Sequence, residues 1–314
     1  MVGKVTSNEK ASASIVPAIM GFSPYTTRNG QLEQTLAHIN GTAEPWEGNE
    51  ATGWGNTLEP IVLGEMADRL DISVDPNIEE AAIHPTLPLE ASLDGRGYGD
   101  GQIIEHDPER GLYVLTETGK IELKGNGCME TKVTSVFPED QPDFSRGPLQ
   151  LQAQMMCTGY GWGAIGVLYR GIELRIFLYE QHQPTIDAIT KAVVDFDRRL
   201  HSDPVDWYSL DDSEDAVLVF PGDDAEPEIE LPLEAGNLCR DIAMLKEQNK
   251  ANDEKITAYN LELQKLMGNH TKATVAGWSL SWPVRNYKAQ PEKVTPAKDA
   301  YSKRQSTVTI KEKK

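Results

Sequence analysis

The sequence predicts an α/β domain built on a mixed sheet, followed by a long helix and a charged tail. Three observations lead there. Helix-period segments come first and short strand-like segments then follow in a run, so helices and strands do not alternate one for one. A second helix-period segment, two apolar runs around a turn, and a last helix close that part of the chain. Finally, there is no Walker loop, so a P-loop nucleotide-binding fold has no positive sign.

Taken in order, Ser12–Gly21 reads as a short helix, with a serine N-cap, Pro17 in the first turn and Gly21 as the stop. Phe22-Ser23-Pro24-Tyr25 is a turn, and Gln31–Asn40 a second, amphipathic helix. Trp54–Ala67 is a third helix, since Leu58, Ile61, Val62, Glu65 and Met66 follow helical spacing. Glu59 falls near its start, where a carboxylate complements the helix dipole. Ile72–Ile83 is expected as an edge strand and Leu89–Asp94 as the next strand. Tyr98–Gly101 reads as a turn, Gln102–Glu105 and Leu112–Leu115 as strands, and Lys120–Lys124 as the close of the meander. Gln150–Thr158 is a helix, Gly163–Tyr169 and Ile172–Tyr179 a hairpin around Arg170-Gly171, and Gln183–Leu200 a helix. The expected organisation is a core over 1–200, an acidic connector or insertion over 201–236, a long helix over 237–267, and a basic tail over 268–314 that returns to the core. In the long helix the apolar spacing is heptad-like at both ends, with Asn249 and Asn252 between. Trp278–Trp282 and Thr307–Ile310 read as strands.

Composition narrows the chemistry. The 314 residues carry a net charge of −19, but it is unevenly spread. His201–Ala235 has no Lys or Arg, whereas the stretch from Arg285 onward is basic. The three cysteines, Cys128, Cys157 and Cys239, form no Cys-x-x-Cys pair. The histidines form no ligand cluster, so an oxygen-ligated hard cation, Mg²⁺ or Mn²⁺, is the metal this composition allows. Scattered cysteines suit a reducing cytoplasm, and no apolar run approaches membrane-spanning length.

The densest cluster of chemistry lies between Glu90 and Lys132. Asp94 stands at a turn, and Ile121-Glu122-Leu123-Lys124-Gly125 reads as a strand. Strand side chains repeat with period 2, so Glu122 and Lys124 share one face while Ile121 and Leu123 share the other. An Asp, a Glu and a Lys converging on a sheet edge can hold a divalent cation beside a phosphate. The same pattern also suits a solvated face with a weak ion pair.

The ordered motifs resemble those of the YqaJ-type viral recombinases, relatives of phage lambda exonuclease among the PD-(D/E)xK nucleases. The pieces are Ser14 with Gly21-Phe22-Ser23-Pro24-Tyr25; Trp54-Gly55-Asn56-Thr57-Leu58-Glu59-Pro60; His84-Pro85 with Ala91-Ser92-Leu93-Asp94-Gly95; Glu122-Leu123-Lys124; Gln150–Gly159; and Tyr301–Lys314. The resemblance implies a restriction-endonuclease-like core and a Mg²⁺- or Mn²⁺-dependent exonuclease. Its substrate would be linear double-stranded DNA, digested 5′→3′ for a single-strand annealing protein of the same phage. It implies metal ligands at Asp94, Glu122, the Leu123 carbonyl and Glu59, with Lys124 acting on the attacking water and Gln152 positioning Lys124 and DNA. Ser14, Ser23, Ser92 and Gln152 would touch DNA, and the relatives suggest a ring trimer in the cytoplasm of a bacterial host. The relatives usually keep an Arg just ahead of the opening Ser, and here no Arg precedes Arg28. Two other readings remain open: an endonuclease of the same fold, and a non-catalytic acidic interaction or DNA-mimic protein.

Overall fold

A computed structural model describes residues 5–45, 48–222 and 227–284. It divides into two compact units, Met1–Phe220 and Pro221–Lys314, each described separately. The first unit begins with β1 (Ala11–Ser12), a 3-10 turn, and α1 (Val16–Ile19). Then come α2 (Arg28–Ile39), α3 (Glu50–Leu70), β2 (Ser73–Asp75), β3 (Ala82–Ile83), β4 (Leu89–Ala91), β5 (Gly95–Glu105) and β6 (Leu112–Val114). β7 (Lys120–Thr134), α4 (Pro148–Thr158), β8 (Trp162–Tyr169), β9 (Glu173–Glu180), α5 (Gln183–Leu200) and α6 (Ser213–Val219) complete it. The second unit holds α7 (Ala235–Met267) and a hairpin of β10 (Lys272–Val275) and β11 (Trp278–Ser281).

The main sheet has the order β2-β5-β7-β8-β9-β6. The β7/β8 and β6/β9 pairs are parallel and the other three antiparallel, so the sheet is mixed, as expected. Helices cover both faces. On one, Val62, Leu63, Met66 and Leu70 of α3 pack on Ile121, Leu123, Met129, Ala164 and Ile176. On the other, Leu151 and Met155 of α4 pack on Cys128, Ile165, Val167 and Phe177. A third cluster joins α1, α2, α4 and α5 to the small β1-β4-β3 sheet through Val16, Leu32, Leu89, Ala153, Val193 and Phe196. This is the α/β core with a mixed central sheet flanked by helices that the sequence predicts.

Caps set the helix ends. Asn49 accepts a hydrogen bond from Thr52 N at 2.9 Å and starts α3 well before Trp54. Glu59 therefore lies in the middle of α3, not near its N-terminus, and dipole complementarity does not account for it. The helix expected over Ser12–Gly21 is split into β1, the 3-10 turn and α1, because Ala11 and Ser12 pair with Leu89 and Glu90. The edge strand expected over Ile72–Ile83 is two short strands in different sheets.

The largest differences concern β5 and β7. Tyr98–Gly101 is no turn but the middle of β5, paired with β7 from Gly95–Met129 to Glu105–Lys120. β7 does not stop at Lys124. It continues through Gly125-Asn126-Gly127, which pair with Gly99-Tyr98-Gly97 of β5, and glycine at 127 leaves room for the Trp162 ring of the neighbouring β8. Burial along β7 records the change in surroundings: it alternates up to Lys124, then Gly127–Glu130 are all buried where β8 joins.

The acidic segment is not wholly an exposed connector. Asp215 of α6 is fully buried and accepts from Thr27 Oγ1, from Asn29 Nδ2 at 3.0 Å and from Asp211 N at 2.8 Å. Tyr208 is buried in the helical cluster beside it. Residues 201–220 thus belong with the first unit, which ends at Phe220 and not at residue 200. The strand expected at Thr307–Ile310, and the tail from Tyr301 to Lys314, lie outside the described residues.

Candidate active site

The candidate site forms where β5 begins and β7 runs past it. The β5/β7 ladder ends at the Gly95–Met129 pair, one residue after Asp94. Beyond it the Asp94 side chain takes over: Oδ2 accepts from Thr131 N at 2.7 Å and from Thr131 Oγ1 at 2.9 Å. In a strand the N–H and C=O of one residue project toward the same edge, so the Thr131 carbonyl faces the side on which Asp94 lies.

Glu130 and Lys132 flank Thr131 on β7. Both stand on the face of Cys128, toward α4. The Glu130 carboxylate is buried, with an ion pair from Lys132 Nζ to Oε1 and a 2.6 Å hydrogen bond from Gln154 Nε2 to Oε2. Gln154 Nε2 also donates to Ser92 O at 3.0 Å, tying α4 to the chain just before Asp94. Gln150, one turn earlier, accepts from Lys132 Nζ at 3.1 Å. Gln150 and Gln154 are four residues apart, so one helix face serves the whole Glu130–Lys132 pair.

Glu59 approaches electrostatically from α3. Burial, then the charge of Asp94, push its carboxyl up to about 7, against the opposing pull of Lys132. Burial, followed by Asp94, likewise raises Glu130 well above an ordinary carboxylate, although Lys132 and Gln154 act in the other direction. Burial pulls Lys132 down, but Glu130, Asp94 and Glu59 outweigh it and its ammonium is stabilised.

The structure brings together Asp94 and Glu59 of the expected set, and does not bring Glu122 and Lys124 to them. Those two are exposed, paired across to Ile103 and Asp100 of β5. They point to the same face of β7 as Glu130 and Lys132 but lie eight residues away, roughly 26 Å along a strand. The Leu123 side chain is buried under α3, and its backbone belongs to that distant part of β7. Gln152 is turned away from the cluster: Nε2 donates to Glu180 O at 2.8 Å and Oε1 accepts from His182 N at 2.9 Å, so it clips the β9–α5 junction. Ser92 contributes its carbonyl to Gln154. Ser14 is exposed, 3.1 Å from Ser12 Oγ, and Ser23 Oγ caps the Tyr25 N–H at 3.2 Å. Glu130, Lys132 and Gln154 are the residues the sequence reading missed. A signal was present: Glu130-Thr131-Lys132 repeats the Glu-x-Lys pattern, behind Cys128-Met129, which are apolar on both strand faces.

Among the described residues, no group of three or more His, Cys, Asp or Glu side chains is close enough to hold a metal by itself. The donor set nevertheless fits a hard cation. Mg²⁺ commonly takes only one or two carboxylates and keeps several waters. Asp94 and Glu130 are such a pair, and the proton affinity they impose on their neighbours is the repulsion that a bound cation relieves.

Residues 6–161 match the model of the YqaJ-like viral recombinase domain. The chain carries a YqaJ-like viral recombinase domain. All of Glu59, Asp94, Glu130, Lys132 and Gln154 fall inside it. Among solved structures, the chain is similar to LHK-Exo, an alkaline exonuclease from Laribacter hongkongensis, also solved in complex with dAMP. Identity is 20%, covering 62% of this chain and 89% of that one, with a TM-score of 0.45. It is also similar to a phage-related exonuclease from Haemophilus somnus 129PT, at 13% identity over 60% and 92% of the two chains, TM-score 0.42. No curated protein matches. The match makes this a domain of the viral recombinase type. No helix among the described residues is long and apolar enough to cross a membrane.

Proposed function

We propose that the chain is a Mg²⁺- or Mn²⁺-dependent exonuclease that digests linear double-stranded DNA, 5′→3′, to expose single strands for an annealing protein. The observation that carries the catalytic part is the convergence of Asp94, Glu130 and Lys132 at the start of β5, held from α4 by Gln150 and Gln154. The substrate, the polarity and the annealing partner rest on the family alone.

Asp94 and Glu130 would hold the cation, with the Thr131 carbonyl as a further oxygen and Glu59 close by. When bound, the cation lowers the pKa of a coordinated water and neutralises charge at the scissile phosphate. Lys132 stays cationic among the carboxylates and would stabilise the charge that builds at phosphorus. Gln154 fixes the Glu130 rotamer and Gln150 the Lys132 ammonium, so the two groups are pre-positioned.

The test is a digestion of linear and covalently closed circular duplex, each with Mg²⁺ or with chelator. Wild type, Lys132→Ala and Lys124→Ala are compared, and a 5′ label reads polarity. Metal-dependent loss of the linear form alone, abolished by Lys132→Ala and kept in Lys124→Ala, is expected. Cutting of the closed circle would replace the exonuclease by an endonuclease. Activity that needs Lys124 and not Lys132 would return the site to the distal half of β7.

A further inference from the structure

The β10–β11 hairpin of the second unit has two unlike faces. Ala276 and Gly277 have φ of 45° and 85°, so a two-residue turn that matches the strand twist joins the strands. Val275 pairs with Trp278, Ala273 with Leu280 and Lys272 with Ser281. Trp282 N then donates to Thr271 O at 2.8 Å, one step further along. Period 2 puts Trp278, Leu280 and Trp282 on one face, and Lys272, Ser279 and Ser281 on the other. The aromatic face is open: Trp278 is 75% exposed, Val275 beside it 56%, and Trp282 45%. A two-stranded hairpin is marginal by itself, and indoles left in water add nothing to its stability.

We propose that this Trp-Leu-Trp face binds single-stranded DNA by base stacking, at a site built from none of the residues of the carboxylate cluster. Charge selects a nucleic acid as the occupant. The chain as a whole carries −19, yet no Asp or Glu occurs between Glu262 and Glu292. That stretch holds Lys265, Lys272, Arg285 and Lys288, and from Arg285 onward nine Lys and Arg stand against three acids. An apolar surface for docking a protein needs no such clearing of acids, whereas a phosphate backbone does. The aromatic face selects a single strand over duplex. Duplex is read through donors and acceptors on base edges, and this face offers only indole N–H groups to meet them. Unpaired bases present their ring faces, which stack on indole whatever the sequence. Four strand residues separate the two indoles by roughly 13 Å, so each ring can take its own base. The assignment does not depend on the catalytic reading, because it concerns binding and no bond is broken.

The experiment uses the full chain in chelator, so that nothing is cut, at one fixed salt concentration. Fluorescence anisotropy follows a dye-labelled oligothymidylate and, separately, a labelled blunt duplex. Wild type is compared with Trp278→Ala combined with Trp282→Ala, and with Trp278→Phe combined with Trp282→Phe. The alanine pair is expected to weaken oligothymidylate binding by about tenfold or more, with duplex binding unchanged. The phenylalanine pair, which keeps a ring at each position, is expected to bind within about threefold of wild type. Single-strand affinity unchanged in the alanine pair would overturn the proposal. So would an equal loss for duplex and single strand, which would make the face a general support for charge. A phenylalanine pair as weak as the alanine pair would also overturn it, since stacking would not be the interaction lost. Wild type that leaves the oligothymidylate unbound would overturn it in favour of a protein partner.

Discussion

Three consecutive residues, Glu130-Thr131-Lys132, contribute a carboxylate, an amide that holds Asp94, and an ammonium. Replacing Lys132 by Ala should reduce turnover by about 10²–10³, the usual loss when one preorganised charge is removed. Gln154→Ala should cost less, because it releases the Glu130 rotamer without deleting a charge; single-turnover digestion rates check both. The raised carboxyls give a second prediction. Glu59 titrates at about 7 in the fold against an ordinary value of 4.5, so the folded chain holds that proton across this window while the unfolded chain does not. Stability is therefore present below 4.5 and lost as pH rises through about 7. In chelator, a thermal melt at pH 8 should fall below one at pH 5.5, the difference should shrink in Glu59→Gln, and Mg²⁺ should restore the melt at pH 8. An unchanged pH dependence in Glu59→Gln would remove Glu59 from the cluster. At this scale the structure brings the expected Asp94 and Glu59 together and leaves Glu122 and Lys124 apart from them. The period-2 argument puts both Glu-x-Lys pairs on the same face of β7, and nothing local tells which of them lies beside the start of β5.

β7 shows why. Gly125-Asn126-Gly127 carries the local chemistry of a turn, and the meander was read as ending there. The reason for Gly127 is tertiary: Trp162 occupies the space its side chain would take, a fact of β7–β8 pairing that no window of sequence contains. Gly127→Ala should destabilise the domain by about 1–3 kcal/mol through overpacking, whereas Gly161→Ala, with nothing near its Cβ, should be silent. Denaturant titration of the two variants checks this. Elements whose identity is set by their own apolar period, α5 and the β8–β9 hairpin, were legible to within a residue. Those whose limits depend on a neighbour, β1, β5 and β7, were not.

For the whole molecule, the mixed sheet with helices on both faces followed from the order of elements, but the limit of the first unit did not. Acidic composition alone made 201–236 look like a connector. The burial of Asp215 and Tyr208 arises from specific partners, Thr27 and Asn29 on one side and Arg28 and Arg199 stacked over the Tyr208 ring on the other. A chain cut after Phe220 should keep metal-dependent nuclease activity, while a chain cut after Leu200 should melt at lower temperature, having lost the buried Asp215 and Tyr208. Equal melting temperatures would return 201–220 to the role of connector.

Asp94 does double duty where β5 begins, standing in for the backbone that the strand does not provide. Alanine there would strip the Thr131 amide of its acceptor as well as remove a charge, so an inactive Asp94→Ala protein could be merely a disordered one. Asparagine is the informative replacement. Its amide oxygen can still receive the Thr131 N–H, so a folded, inactive Asp94→Asn chain would separate the chemistry of this side chain from its carpentry.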